Sequence, residues 1–194
     1  MEITDINQLD LNKTYSYADY LLWKFKERVE LFRGKILKIS PAPSTKHQII
    51  SGNIHFELKL HFKEQACKLF SAPFDVRIPK QSLEDKDIFS VVQPDLCIIC
   101  DLSKLDERGC IGAPDLVVEI LSPSNSKKEM KEKFQLYEES GVKEYWIIDP
   151  NQESALVNVL ENGKYHTQNP IVDDDVNSII FPNLKIHTDE IFKM

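Results

Sequence analysis

Two apolar runs in the middle of this chain leave few architectures open. Gln93-Pro94-Asp95-Leu96-Cys97-Ile98-Ile99 and Ala113-Pro114-Asp115-Leu116-Val117-Val118-Glu119-Ile120-Leu121 each start at a proline and continue almost without a polar residue. Proline at a strand entrance does least harm, because its missing N–H falls outside the ladder. Strands that are apolar on both faces read as central strands covered on both sides.

The rest of the chain supplies the cover. Ser16 to Arg28 reads as a short helix with Ala18, Leu21, Leu22 and Phe25 on one side. Glu30 to Ile39 reads as a strand pair around Gly34, closed by Ser40-Pro41-Ala42-Pro43. Ser44 or Thr45 can cap a helix running to about Phe62, with Ile50, Ile54 and Leu58 on its buried stripe. Leu69 to Pro79 reads as extended and Lys80 to Asp87 as a loop. Ser122-Pro123-Ser124-Asn125 ends the second apolar run. A helix from about Ser126 to Ser140 follows, with Met130, Phe134 and Tyr137 inward and Gly141 as its stop. Lys143 to Asp149 is a strong strand, and the tail has extended pieces around Ala155 to Leu160, Lys164 to Thr167 and Ser178 to Ile186. The order helix, strand, strand, strand, helix, strand predicts a mixed α/β (α+β) sheet domain, not a run of regular βαβ units.

At 194 residues, 42% hydrophobic and 28% charged, the chain has the composition of one globular domain spanning its whole length. No apolar run is long enough to span a bilayer, and the polar start lacks a signal-peptide pattern, so the expected location is the cytoplasm. The net charge of -7 disfavours a strong sequence-independent grip on DNA, but it allows a local basic surface or a metal-bearing site. Cys97 and Cys100 form a CxxC within a strand. Residues three apart on a strand face opposite ways, so the pair cannot share a metal, and both read as buried structural cysteines.

Buried strands avoid charge, because an unpaired buried carboxylate is costly. Glu119 sits inside an aliphatic run, Asp115 shares its strand face, and Asp95 opens the preceding strand. On neighbouring strands these carboxylates would converge at one end of the sheet. Clustered carboxylates raise one another's pKa unless a cation holds them ionised, and such oxygen ligands suit Mg²⁺ or Mn²⁺. The plainer reading pairs Glu119 with a core Lys or Arg and has Asp95 and Asp115 capping turns.

The sequence resembles the PD-(D/E)xK nuclease superfamily, and within it the bacterial restriction-endonuclease-like Uma-two family. The resemblance rests on Glu30-Leu31-Phe32-Arg33-Gly34-Lys35-Ile36, Ser44 to His47, Val92-Gln93-Pro94-Asp95, Gly112 to Ser124, Glu132-Lys133 with Leu136-Tyr137, and Gly141 to Pro150. It implies a restriction-endonuclease-like core and a Mg²⁺- or Mn²⁺-dependent endonuclease acting on DNA. Asp95 and Glu119 would be its metal-binding acids, and Glu30 and His47 match recurrent positions. The family's lysine should stand two residues after Glu119, where Leu121 is found instead. Lys133, on the following helix, matches the position from which this branch supplies it. Lys133 could equally pair with Glu129 on the helix surface. Two functions follow as expectations. One is a metal-dependent DNA endonuclease with Asp95, Glu119 and Lys133 at its centre, homodimeric if it cuts both strands. The other is a module that keeps the fold without the chemistry and binds nucleic acid or a protein partner.

Overall fold

The structure, a computed structural model, describes residues 2–38, 43–122 and 127–194. In chain order its elements are α1 (Tyr17–Tyr20), β1 (Val29–Phe32), β2 (Lys35–Lys38), α2 (Thr45–His61), β3 (Lys68–Ser71), β4 (Val76–Arg77) and β5 (Val91–Val92). Next come β6 (Leu96–Ile99), β7 (Leu105–Asp106), β8 (Gly109–Ile111), β9 (Leu116–Ile120) and α3 (Lys127–Ser140). The chain finishes with β10 (Glu144–Asp149), β11 (Ser154–Glu161), β12 (Lys164–Thr167), β13 (Asp175–Asn177), β14 (Lys185–His187) and α4 (Thr188–Phe192).

The two apolar runs become β6 and β9, adjacent and antiparallel inside a sheet of order β12-β11-β10-β9-β6-β3. β10 joins β9 in parallel, because α3 carries the chain back across one face before the next strand begins. The expected core order is therefore realised as α2, β3, β6, β9, α3, β10. One face of this sheet is covered by Ile50, Ile54 and Leu58 of α2 together with α4 and the β13–β14 pair. All three α2 residues are fully buried, each contributing about 1.5–3 kcal/mol. Leu136 and Tyr137 of α3 cover the other face, alongside Phe32, Val76 and Val92 of a second sheet ordered β2-β1-β5-β4-β8-β7. The strands apolar on both sides are thus buried on both sides.

Local signals account for most of the elements. Ser44 caps α2 by accepting the His47 N–H, and Gly141 at φ +86° follows the end of α3. Arg33 and Gly34, both at positive φ, make the two-residue turn between β1 and β2. A side chain at Gly34 would meet Thr14 Cγ2 at 2.3 Å.

Several expectations change. The helix expected over Ser16 to Arg28 is a single turn, because Trp23 and Lys24 instead pair with Ile3 near the N-terminus. Leu22 is consequently exposed. The extended stretch from Leu69 to Pro79 splits between the two sheets as β3 and β4. The tail pieces at Ala155 to Leu160 and Lys164 to Thr167 form β11 and β12, but the piece expected over Ser178 to Ile186 is strand only at its end, in β14, since Ser178, Ile179 and Ile180 turn around the Glu144 carboxylate. The closing residues expected after β2, Ser40 to Ala42, and those expected to break β9, Pro123 to Asn125, lie outside the described residues. Cys97 is buried as expected, but Cys100 forms a disulfide with Cys67. The antiparallel register that sets Lys68 against Ile99 brings these two thiols opposite each other. Among the described residues no helix is long and apolar enough to cross a membrane.

Candidate functional site

The β6–β9 register pairs Leu96 with Val118, and one step further along sets Asp95 opposite Glu119. Directly opposed residues of an antiparallel pair project to the same face. Asp95 is tied down where the strand begins: its Oδ2 accepts the Ile120 N–H at 2.8 Å and lies 3.3 Å from His47 Nε2. His47 is in the first turn of α2, its own N–H on the capping Ser44 Oγ. Its hydrogen bond to Asp95 raises the imidazole pKa against the opposing effect of burial.

Lys133 comes to the same place from α3. Its Nζ is 2.8 Å from Glu119 Oε1 and 3.4 Å from Glu30 Oε1, and the side chain is about nine-tenths buried. Of the two placements open to Lys133, the structure has it between two carboxylates at the sheet end. Tyr137, one helical turn on, donates its hydroxyl to Glu119 Oε1 at 2.7 Å. Glu30 arrives on β1, from the other sheet, and accepts the Gln93 N–H at 2.7 Å. Burial pushes the Glu119 carboxyl up, the Lys133 ammonium opposes it, and Asp95 and Glu30 add to the rise, which reaches about 7. Burial works against the Lys133 charge too, yet Glu119 and Glu30 hold its pKa above the ordinary lysine range.

Five of the six residues picked from the sequence therefore meet: Asp95, Glu119, Lys133, Glu30 and His47. Asp115 does not. It enters β9 at the far end, four residues or about 13 Å from Glu119. There its carboxylate accepts the Cys100 N–H and pairs with Lys143 Nζ at 2.7 Å. A shared strand face does not make a shared strand end, which corrects the expectation that Asp115 joins the cluster. Tyr137 stands in the sequence on the inward stripe and among the residues of the resemblance, with no role at the site assigned to it. Its i,i+4 spacing from Lys133 is the signal that would have placed it here. The part played by the Gln93 backbone had no signal in the sequence.

The donor set fits a hard divalent cation. Glu119 and Glu30 face the Lys133 ammonium while Asp95 pairs with His47, and a cation between Asp95 and Glu119 would offset the burial and the neighbouring carboxylates that keep the Glu119 carboxyl raised. Among the described residues no three His, Cys, Asp or Glu side chains close into a complete metal cage. Mg²⁺ does not need one, since it keeps several waters and is commonly held by one or two carboxylates plus substrate oxygens.

Residues 17–189 match the family described as "Uma2: Putative restriction endonuclease". The chain belongs to the Uma2 family. No curated protein sequence matches it. Among solved structures, it is similar to a protein of Anabaena variabilis ATCC 29413 described as a "putative nuclease belonging to DUF820". The TM-score is 0.70 at 22% identity, covering 92% of this chain and 97% of the other. This likeness shows that the Uma2 chain has the mixed α/β fold of that neighbour.

Proposed function

We propose that this Uma2 protein is a divalent-metal-dependent endonuclease that hydrolyses phosphodiester bonds in DNA. The observation that carries the reading is the Lys133 ammonium 2.8 Å from Glu119, on the strand face where Asp95 stands opposite. A lysine delivered by the helix stands in for the one replaced by Leu121. Asp95 and Glu119 are the residues that would hold Mg²⁺ or Mn²⁺, whose chemistry is to polarise a phosphoryl oxygen and acidify a bound water.

The chain's own groups do the rest. Lys133 favours the ionised form of Glu119 against the effect of burial and sets a positive charge where a phosphate oxygen gains negative charge. Tyr137 fixes the Glu119 rotamer, and His47 and the Ile120 N–H fix Asp95. Glu30 holds the second side of the ammonium. Cutting both strands of a duplex calls for two such sites, hence a homodimer.

The test is plasmid nicking in Mg²⁺ or Mn²⁺, with calorimetry of metal binding. Wild type nicks and binds metal, while Glu119→Ala does neither. Equal residual cleavage by both, with no heat of metal binding, rejects the reading. One feature favours the alternative of a fold without chemistry: Glu119 Oε1 is already satisfied by Lys133 and Tyr137. That alternative predicts nucleic-acid binding indifferent to Mg²⁺, or none.

A further inference from the structure

Glu30 and Phe32 project from the same face of β1, and Leu37 lies directly across from Glu30 on β2. On α3, Glu132 precedes Lys133 and Leu136 follows one turn later. Phe32, Leu37, Glu132 and Leu136 all line a groove of ≈ 300 Å³ between the β1–β2 hairpin and α3. Neither Glu30 nor Lys133 lines the groove, but residues on the same strand face and the same helix side do, which sets it next to the Glu30–Lys133 contact.

Its chemistry is divided. Phe32, Leu37 and Leu136 make an apolar floor. Arg33, Lys35 and Lys128 line it too, against the one carboxylate of Glu132, in a chain whose overall charge is -7. Arg33 is paired with Glu139 at 2.8 Å, and Lys128 lies 3.8 Å from Glu132. The Lys35 ammonium rests on the backbone carbonyls of Asn12 at 2.5 Å and Lys13 at 3.2 Å, and among the described residues no carboxylate pairs with it. The exposed amide of Gln135 also lines the groove and can both donate and accept.

We propose that this groove receives one unpaired nucleotide beside the scissile phosphate, an inference that rests on the nuclease reading above. The volume lies at the lower end of the roughly 300–1,000 Å³ of small-ligand pockets, enough for one nucleotide and too little for duplex. An unstacked base is held by apolar contact and hydrogen bonds to its edge, which the floor and Gln135 supply. Lys35 and Lys128 are placed to neutralise flanking phosphates. The preferred substrate then carries single-stranded character: a single strand, a flap or an overhang.

The experiment is fluorescence anisotropy with a short labelled oligodeoxynucleotide, as a single strand and as a blunt duplex, in Ca²⁺ to suppress hydrolysis. Wild type is expected to bind the single strand about tenfold tighter, within what one stacked base contributes. Gln135→Trp, at an exposed position that fills the groove, removes that preference without changing Tm or duplex affinity. Lys35→Ala lowers the salt dependence of single-strand binding by about 0.7 in slope. Equal binding of the two forms by wild type, or a preference that survives Gln135→Trp, overturns the groove assignment. The nuclease reading then still stands if Glu119→Ala abolishes nicking. A wild type that binds neither form and does not nick takes both readings down together.

Discussion

Glu119 and Glu144 sit on adjacent strands of one sheet, and both place a carboxylate where water scarcely reaches. Their surroundings separate them. Glu144 is fully buried and accepts from Trp146 Nε1 at 2.6 Å, Ile179 N at 2.8 Å, Ile180 N at 3.1 Å and Ser178 Oγ at 3.2 Å. Neutral donors surround it, so its charge is compensated and its work is to fold the tail against the sheet. Glu119 instead shares an ammonium with Glu30 and lies near Asp95, an arrangement with spare negative charge. Glu144→Ala should cost about 3 kcal/mol, because it strands the buried Trp146 N–H and two part-buried backbone N–H groups, while nicking per folded molecule stays unchanged. Chemical denaturation beside a nicking assay checks both halves. Lys133→Met keeps the aliphatic stem and removes the charge. Cleavage should drop about 10²–10³-fold, the scale of losing one electrostatic stabiliser. In EDTA its Tm should fall below wild type, since Glu30 and Glu119 then lack their counter-ion, and Mg²⁺ should restore more of it than wild type gains. An unchanged Tm in EDTA would argue against the buried ion pair.

At the scale of elements, α2 and α3 were legible because each carries its own signals: a cap or a terminal glycine, and apolar residues at helical spacing. The pairs β4–β5 and β7–β8 were not. Strands of two or three residues have no period to read, and they exist because partners across the sheet hold them. Gly109 shows how tightly. At φ +127° it lets β8 pass so close to residue 75 that a Cβ would lie 2.2 Å from the Asp75 carbonyl oxygen, which accepts the Cys110 N–H. Gly109→Ala should therefore destabilise by about 1–3 kcal/mol from backbone strain alone, with more from the clash. Thermal unfolding measures it, and a loss of less than about 0.5 kcal/mol would refute the close approach. α1 fell short of its expected length for a related reason. With Trp23 paired to Ile3, Leu21 and Phe25 still pack into the N-terminal cluster while Leu22 is left exposed.

The whole molecule sets the pH behaviour, because the Glu119 environment is assembled from both sheets and α3. Its carboxyl rises from 4.5 to about 7 on folding. Between those values the native state holds a proton that the unfolded chain has released, so this group's contribution makes the metal-free protein less stable as pH rises through the window. Metal binding needs the ionised form, so Mg²⁺ affinity should climb as pH rises towards and past about 7. Tm curves in EDTA and in Mg²⁺ should converge near pH 5 and separate by pH 8. A constant gap across that range would show that Glu119 is not the titrating ligand.

From the sequence alone came two central strands buried on both faces, the α2 and α3 helices that cover them, and a carboxylate out of place in β9. Each depends on residues near one another in the chain, through alternation, helical spacing and caps. Tertiary structure decided which acids meet. Asp95 and Glu119, 24 positions apart, share a strand end because β6 and β9 run antiparallel, while Asp115, four residues from Glu119, is carried to the other end. It also decided that Lys133, on a helix 14 positions further along the chain, reaches Glu119. Strand direction and helix docking are set by the packing of the whole sheet, and no local pattern encodes them.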